Sequence, residues 1–399
     1  KNYSGLDKGD NYLYIYSHQI TTVFIFQIIL SLFGRATFIL YIMQSFSISF
    51  IIFMLYKISN ILFEDEDTNY IVVILGALCF PLIFYVAFVY GLLPGMFLTL
   101  VAYYYFIKYT KEKHWYQLVI SALSINLAIL LIGNNLIHLL AIFAVAVIYF
   151  IRNKDWKIIA FILSCVFLMS ASKSVITNYY EVKSQKEIAE GVPKITWIAM
   201  GMQEGEREAG WWNRFNYDIM PEEEYDEKRI TKISKTSMKQ RLNVFRDNPK
   251  YAFDFYQRKY ENQFIEPTFQ SLLVTAPQRN FSNETTLEKI RDFFVKQIYF
   301  NHTHTVLEFI MKVFQVFVYL FTFVFAVVMY KRKNEFFAII PIAFIGGTLF
   351  NMIWEAKSRY IFPYFVFLIP LSAYGLVIVR NKIKEYKKLK EEKDEKSTI

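Results

Sequence analysis

The sequence predicts an all-α polytopic membrane protein with a small extracytoplasmic domain, and three observations carry that prediction. Of 399 residues, 55% are hydrophobic, including 40 Phe and 29 Tyr. The apolar residues fall into blocks near the ~20 residues that a helix needs to cross a bilayer. One long hydrophilic stretch, 177–304, interrupts those blocks. A soluble chain of this length would instead divide into about two or three domains.

Residues 1–35 read as an outer loop. Within it, "ITTVFIFQIILSLF" (20–33) is apolar but short for a span, and is expected to form a re-entrant or interfacial helix on the outer face. Candidate spans follow at 36–57, 69–90, 93–108, 116–133, 135–151 and 157–176, which make an N-terminal membrane region of 36–176. Spans at 305–330, 336–354 and 360–379 make the C-terminal region, 305–379, and a basic tail, 380–399, closes the chain. The loops "KYTKEKHW" (108–115), "RNKDWK" (152–157) and "KRKNE" (331–335) are basic, as is the tail. With these four on the cytoplasmic side of the plasma membrane, all nine spans alternate without contradiction. Residues 1–35, the stretch 177–304 and the loop with Glu355, Lys357 and Arg359 then lie outside. The acidic "FEDED" (63–67) falls inside, where acidic residues contribute little to orientation.

The net charge of +9 is thus a matter of loop orientation rather than of nucleic-acid binding. Cys79 and Cys165 lie inside spans, which speaks against a disulfide framework or structural zinc. His302 and His304 in "NHTHT" read as a polar juncture before a helix rather than as half a metal site. The chain opens at Lys1 within a polar loop, and the lack of a targeting segment there says little.

The stretch 177–304 is expected to be ordered. "PKITWIAMG", "GWWNRFNYD" and "FIEPTFQSL" are aromatic- and glycine-rich, unlike a disordered spacer. Ile233, Met238, Leu242 and Phe245 recur near one helical face, and Asn248-Pro249 ends that helix. A second helix is expected through Phe253, Tyr256 and Tyr260, with an aromatic cluster that includes Trp197 and one of Trp211 or Trp212. Trp211 and Trp212 could stack on a sugar or anchor at the headgroups. Asn280, Asn283 and Asn301 head glycosylation-type triplets, a short and common pattern.

The whole arrangement, with a late outer loop followed by "RYIFPYFVFLIP", resembles the GT-C superfamily of membrane glycosyltransferases. More narrowly, it looks like the Gram-positive bacterial relatives of the protein mannosyltransferases and aminoarabinose transferases. "YLYIYSHQ" (12–19), "GNNLIHLLA" (133–141), "WIAMGMQEG…GWWN" (197–213) and "RDNPKYAFDFYQRKYENQFIEPTFQSL" (246–272) carry the likeness, which spans nearly the whole chain. The resemblance implies a GT-C-like helical core and transfer of a sugar from a polyprenyl-phosphate donor to a cell-surface glycan or lipid acceptor, among membrane lipids. It implies no cofactor, with a divalent metal only in some branches, and the sequence holds no metal cluster. Lys357, Arg359 and Tyr360 fit the family's lipid-phosphate site. His18, Gln19, Asn134, Asn135, Glu355, Trp211 and Trp212 are donor or acceptor pocket candidates. The family's catalytic Asp lies upstream of the stretch matching Tyr12–Gln19, where Asp7 and Asp10 are misplaced for the role, so the catalytic residue is unassigned. Gly133 stands where the family often has Lys, "YGLLPG" (90–95) where it often has an acid, and Ser17 where it has Pro.

The chemistry explains why such residues belong together. A cation beside the departing phosphate stabilises the charge that develops there, and Arg offers a planar fork where Lys offers a point charge. Glu355 would orient one of the cations. The plainer alternative is that Lys357 and Arg359 snorkel to headgroups. Other functions remain in view: a polysaccharide polymerase, which should carry paired Arg-rich motifs in its outer loops, and a transport-related or catalytically degenerate protein.

Overall fold

The structure, a computed structural model, describes residues 4–9, 11–34, 36–277, 285–329 and 335–397. No strand occurs among them. Five described helices are long and apolar enough to cross a membrane, or seven when each of two bent pairs counts as one span. Thr37–Phe63, Gly133–Asn153, Trp156–Ser184, His302–Met329 and Phe336–Ile353 are the single ones. The bent pairs are Glu66–Leu78 with Phe80–Ala87, at 50°, and Ser358–Phe367 with Ile369–Asp394, at 53°. Both bends have a proline as their cause. Pro81 and Pro370 lack the N–H that would continue the ladder across each break.

The remaining two predicted spans are helices as well. Leu92–Glu112 ends in polar residues, and Trp115–Leu131 has only 17 residues. They form an antiparallel hairpin, with Gly91 against the Leu131 carbonyl at one end and Gln117 Nε2 donating to Glu112 at the other, 2.6 Å away. All nine predicted segments are therefore helical, and five to seven of them are long and apolar enough to cross.

One end is marked by charge. Lys111 pairs with Glu64 at 2.8 Å and Arg380 with Asp67 at 2.5 Å. Asp155 accepts from Tyr109 and pairs with Lys113. The acidic "FEDED" loop therefore sits among the basic loops and neutralises them in part, which accounts for its departure from the charge pattern. Most of "KRKNE" lies outside the described residues, as do Asp10, Asn280 and Asn283.

The helix Ile20–Phe33 stays at the opposite end. Its Thr21 and Thr22 hydroxyls donate to the carbonyls of Leu130 and Leu131, and its Gln27 accepts from Tyr180. The next helix, Thr37–Phe63, begins four residues after it, and its Gln44, two turns in, donates to the Phe88 carbonyl at the same end. Both ends of this short helix therefore lie toward one end of the bundle.

The expected boundaries at 176, 304 and 379 all fall inside or at the start of helices. Trp156 continues unbroken to Ser184, His302 opens the next long helix, and Ile369 runs on to Ser397. Residues 185–275 form a helical cap on the opposite end, the one that holds Ile20–Phe33. Lys194–Gly201, Glu227–Asp247 and Pro249–Glu261 are its main helices, the last two divided at Asn248-Pro249 as the sequence predicts.

Which faces pack differs from expectation. In Glu227–Asp247 the buried residues are Ile230, Ser234 and Phe245, while Ile233 and Leu242 are exposed. In Pro249–Glu261 they are Phe255 and Lys259, while Phe253 and Tyr260 are exposed. The stripes are rotated because polar residues complete them. Ser234 bonds Thr196 at 2.9 Å, and Arg241 lies over the Phe245 ring at 4.8 Å while donating to the Met202 carbonyl.

The helix Thr286–Phe300 is inverted relative to a soluble one. Leu287, Ile290, Phe293 and Phe294 are exposed, whereas Asp292 is buried and paired with Arg291. Lipid, not water, is the solvent in which that outward face is favourable.

Candidate functional site

The loop Trp354–Lys357 is where the cap closes on the bundle. Pro249–Glu261 carries Lys259 to its inner face. There the amine donates to the Trp354 carbonyl at 2.6 Å and to the Gly201 carbonyl. Gly201 is needed for this approach, because a Cβ there would lie 2.4 Å from the Trp354 oxygen. Ala356 N–H donates to the Gly210 carbonyl at 3.0 Å. The Trp354 ring stacks on Trp197 at 6.1 Å and on Phe350 at 5.3 Å.

This clasp presents three charges. Glu355 is buried, with one oxygen paired to Lys357 and the other accepting from the Tyr360 hydroxyl at 2.9 Å. Burial holds the Lys357 ammonium below the usual lysine range, with Arg359 and Arg207 adding to the effect and Glu355 opposing it. Arg359 occupies the first turn of Ser358–Phe367, its guanidinium over the Phe88 ring at 5.3 Å and the Tyr360 ring at 5.6 Å. Tyr12, Tyr85 and Tyr90 lie within its electrostatic reach. The same helix terminus receives Glu266, whose carboxylate accepts from Ser358 at 2.9 Å, from Gln270 N–H and from Thr268.

Several sequence-predicted residues meet here. Glu355 pairs with one of the two predicted cations, Lys357. Trp211 has Lys357 and Arg207 over its ring, at 5.6 and 5.5 Å. Gln19 contacts His18 and donates to the Tyr90 hydroxyl, which places both near the Arg359 side.

Others stand apart. Trp212 is exposed. Trp197 stacks with Tyr16 and Trp354 rather than with either Trp211 or Trp212. Asn135 is buried, donating to the Ala128 carbonyl at 2.8 Å, with Asn134 half-buried beside it. A Cβ at Gly133 would meet open space, so this position can hold a side chain although this chain has none there. His304 faces Glu308 at 3.3 Å and the Ile298 carbonyl, as a helix-start juncture would. Asp7 pairs with Lys186.

Sequence reasoning missed Lys259, Arg207, Glu266 and Tyr90.

A family model described as "Conserved hypothetical integral membrane protein" matches residues 11–376, nearly the entire chain, and the chain belongs to that family. No curated protein and no solved structure matches it.

Proposed function

We propose that this member of an integral membrane family is a GT-C-type glycosyltransferase. In this reading it moves a sugar from a polyprenyl-phosphate donor to a cell-surface polymer or glycolipid on the outer face of the plasma membrane. The observation that carries the proposal is Arg359. It is half-buried at the first turn of a helix, held between aromatic rings beside Lys357, where the last span meets the cap. The guanidinium and the first-turn amides would address one lipid phosphate together. Lys357 and the Tyr360 hydroxyl would border the same group, and Trp211 would offer the sugar an apolar face.

A second reading is favoured by the carboxylates. Glu355 is committed to Lys357 and Tyr360, and Glu266 to Thr268, Gln270 and Ser358. Neither is placed as a ready base, which suits a relative that binds the lipid phosphate without transferring sugar.

Arg359→Ala is expected to weaken polyprenyl-phosphate binding by about 1.5–3 kcal/mol, roughly 10- to 150-fold, and Arg359→Lys to recover part of that. Lys390→Ala, in the tail, should change nothing. Unaltered affinity in a folded Ala variant would defeat the site. Intact binding with no label transferred from a sugar-labelled donor would select the second reading.

The proposed sidedness has its own test. Cys79 and Cys165 are buried, so an added cysteine reports alone. In intact cells Glu222→Cys should react with an impermeant thiol reagent and Lys390→Cys should not. The opposite pattern would invert the topology.

A further inference from the structure

The face of Glu227–Asp247 that points away from the cap core carries a ladder of cations. From residue 228 to 246 the sequence has seven Lys and Arg and no Asp or Glu. Four of them, Lys228, Lys232, Lys235 and Lys239, are exposed and recur at helical spacing. Together with Thr231 and Thr236 they line an open, shallow cleft of about 500 Å³. With a rise of ~1.5 Å per residue, the four ammoniums extend over roughly 16 Å.

Such an arrangement works against the helix itself. Like charges three and four residues apart destabilise a helix, and cations in its first turn oppose the dipole. Among the described residues no ion pair relieves these four. Two acids lie at its start: Glu227 in the first turn, and Asp226, which caps the helix by accepting from Arg229 N–H at 2.9 Å and attracts Lys228. The opposite face, through Ser234 and Ser237, is bonded to Thr196 and Gln203. Because Lys194–Gly201, which carries Thr196, lies between this helix and the Trp354 loop, the ladder faces away from that loop and the bundle behind it.

We infer that this ladder binds a flexible polyphosphate-like polyanion, and that such a polymer is the acceptor class for the proposed transfer. Lysine suits a mobile chain because a point charge demands no fixed angle from the phosphate. The acceptor role rests on the glycosyltransferase reading; the binding itself does not.

The test uses the full chain in neutral-detergent micelles, with long-chain polyphosphate as the probe. Replacing Lys228, Lys232, Lys235 and Lys239 with Gln should weaken binding at least tenfold and flatten its salt dependence, since fewer counterions are released. The same four positions as Arg should keep the affinity. Replacing Lys387, Lys388, Lys390 and Lys393 in the tail with Gln removes equal charge and should leave it within twofold. Circular dichroism checks that the helices persist.

Equal binding by the Gln ladder variant overturns the inference. So does competition by orthophosphate as effective, per phosphate, as the polymer. Ladder-dependent binding to anionic vesicles in place of polyphosphate also overturns it, by assigning the face to the membrane. Polymer binding without any sugar transfer leaves the inference standing as a binding site and rejects the transfer reading alone.

Discussion

Replacing Lys259 with methionine is expected to loosen the cap from the Trp354 loop by about 2–4 kcal/mol at pH 9, and by less at pH 6, because two buried carbonyls lose their donor. The side chain is fully buried, and its amine meets two acceptors, the Gly201 and Trp354 carbonyls. A neutral amine has two N–H groups for those two oxygens. Burial pushes the group down to about 7, with Glu355 pulling the other way. An unfolded lysine titrates near ~10.4. Between these values the unfolded chain holds a proton that the folded chain does not, so stability rises with pH through that window. Below it both states are protonated, and the contribution is flat at its lowest.

Methionine has no such slope. The gap between wild type and variant should therefore widen with pH, by up to ~1.4 kcal/mol per unit. Hydrogen exchange of residues 194–213, corrected for intrinsic rates at each pH, reads it directly. A gap that narrows as pH rises would mean that the clasp works through the charged form.

Glu355→Ala is the more damaging change, at about 3–5 kcal/mol, because it strands a buried ammonium. Only 2% of the Glu355 side chain and 13% of that of Lys357 are exposed, so water replaces the lost partner only in part. Glu355→Ala combined with Lys357→Met should recover most of the stability, since neither charge is then left unpaired. A lipid phosphate should rescue the single variant more than it stabilises wild type, because it supplies the missing anion beside Lys357. Thermal unfolding with and without polyprenyl phosphate measures both effects. A single variant as stable as wild type would show that the pair is a surface contact, and equal lipid-induced shifts would place the phosphate elsewhere.

The sequence carried the bundle clearly because lipid imposes a length requirement that most of the apolar blocks display. The break at Asn248-Pro249 was equally plain, since proline lacks the N–H that would carry the preceding helix through that point. The faces of the cap helices were not legible. Apolar periodicity pointed to Ile233, Leu242, Phe253 and Tyr260, while the structure buries Ser234 and Lys259. A residue whose polar atoms are satisfied by distant backbone gives no sign of that in its own neighbourhood. The same holds at the candidate site. Glu355, Lys357 and Arg359 stood out as charges between apolar blocks, and their mutual geometry followed. Glu266 and Tyr90 reach the site only through long-range folding.

The order of synthesis gives the clasp a further consequence. Lys259 and its acceptor Trp354 are 95 residues apart, and Glu266 and Ser358 are 92 apart. The ribosome releases the cap residues first, and the two membrane helices that follow must be made before residue 354 exists. Until then the amine of Lys259 lacks one of its two carbonyls, and Trp197 lacks the ring it stacks on. The cap must wait, partly assembled, for the final loop to arrive, because contacts so distant in sequence close late. A chain stopped before Trp354 would therefore hold an unfinished cap, and only the last loop turns it into a finished one.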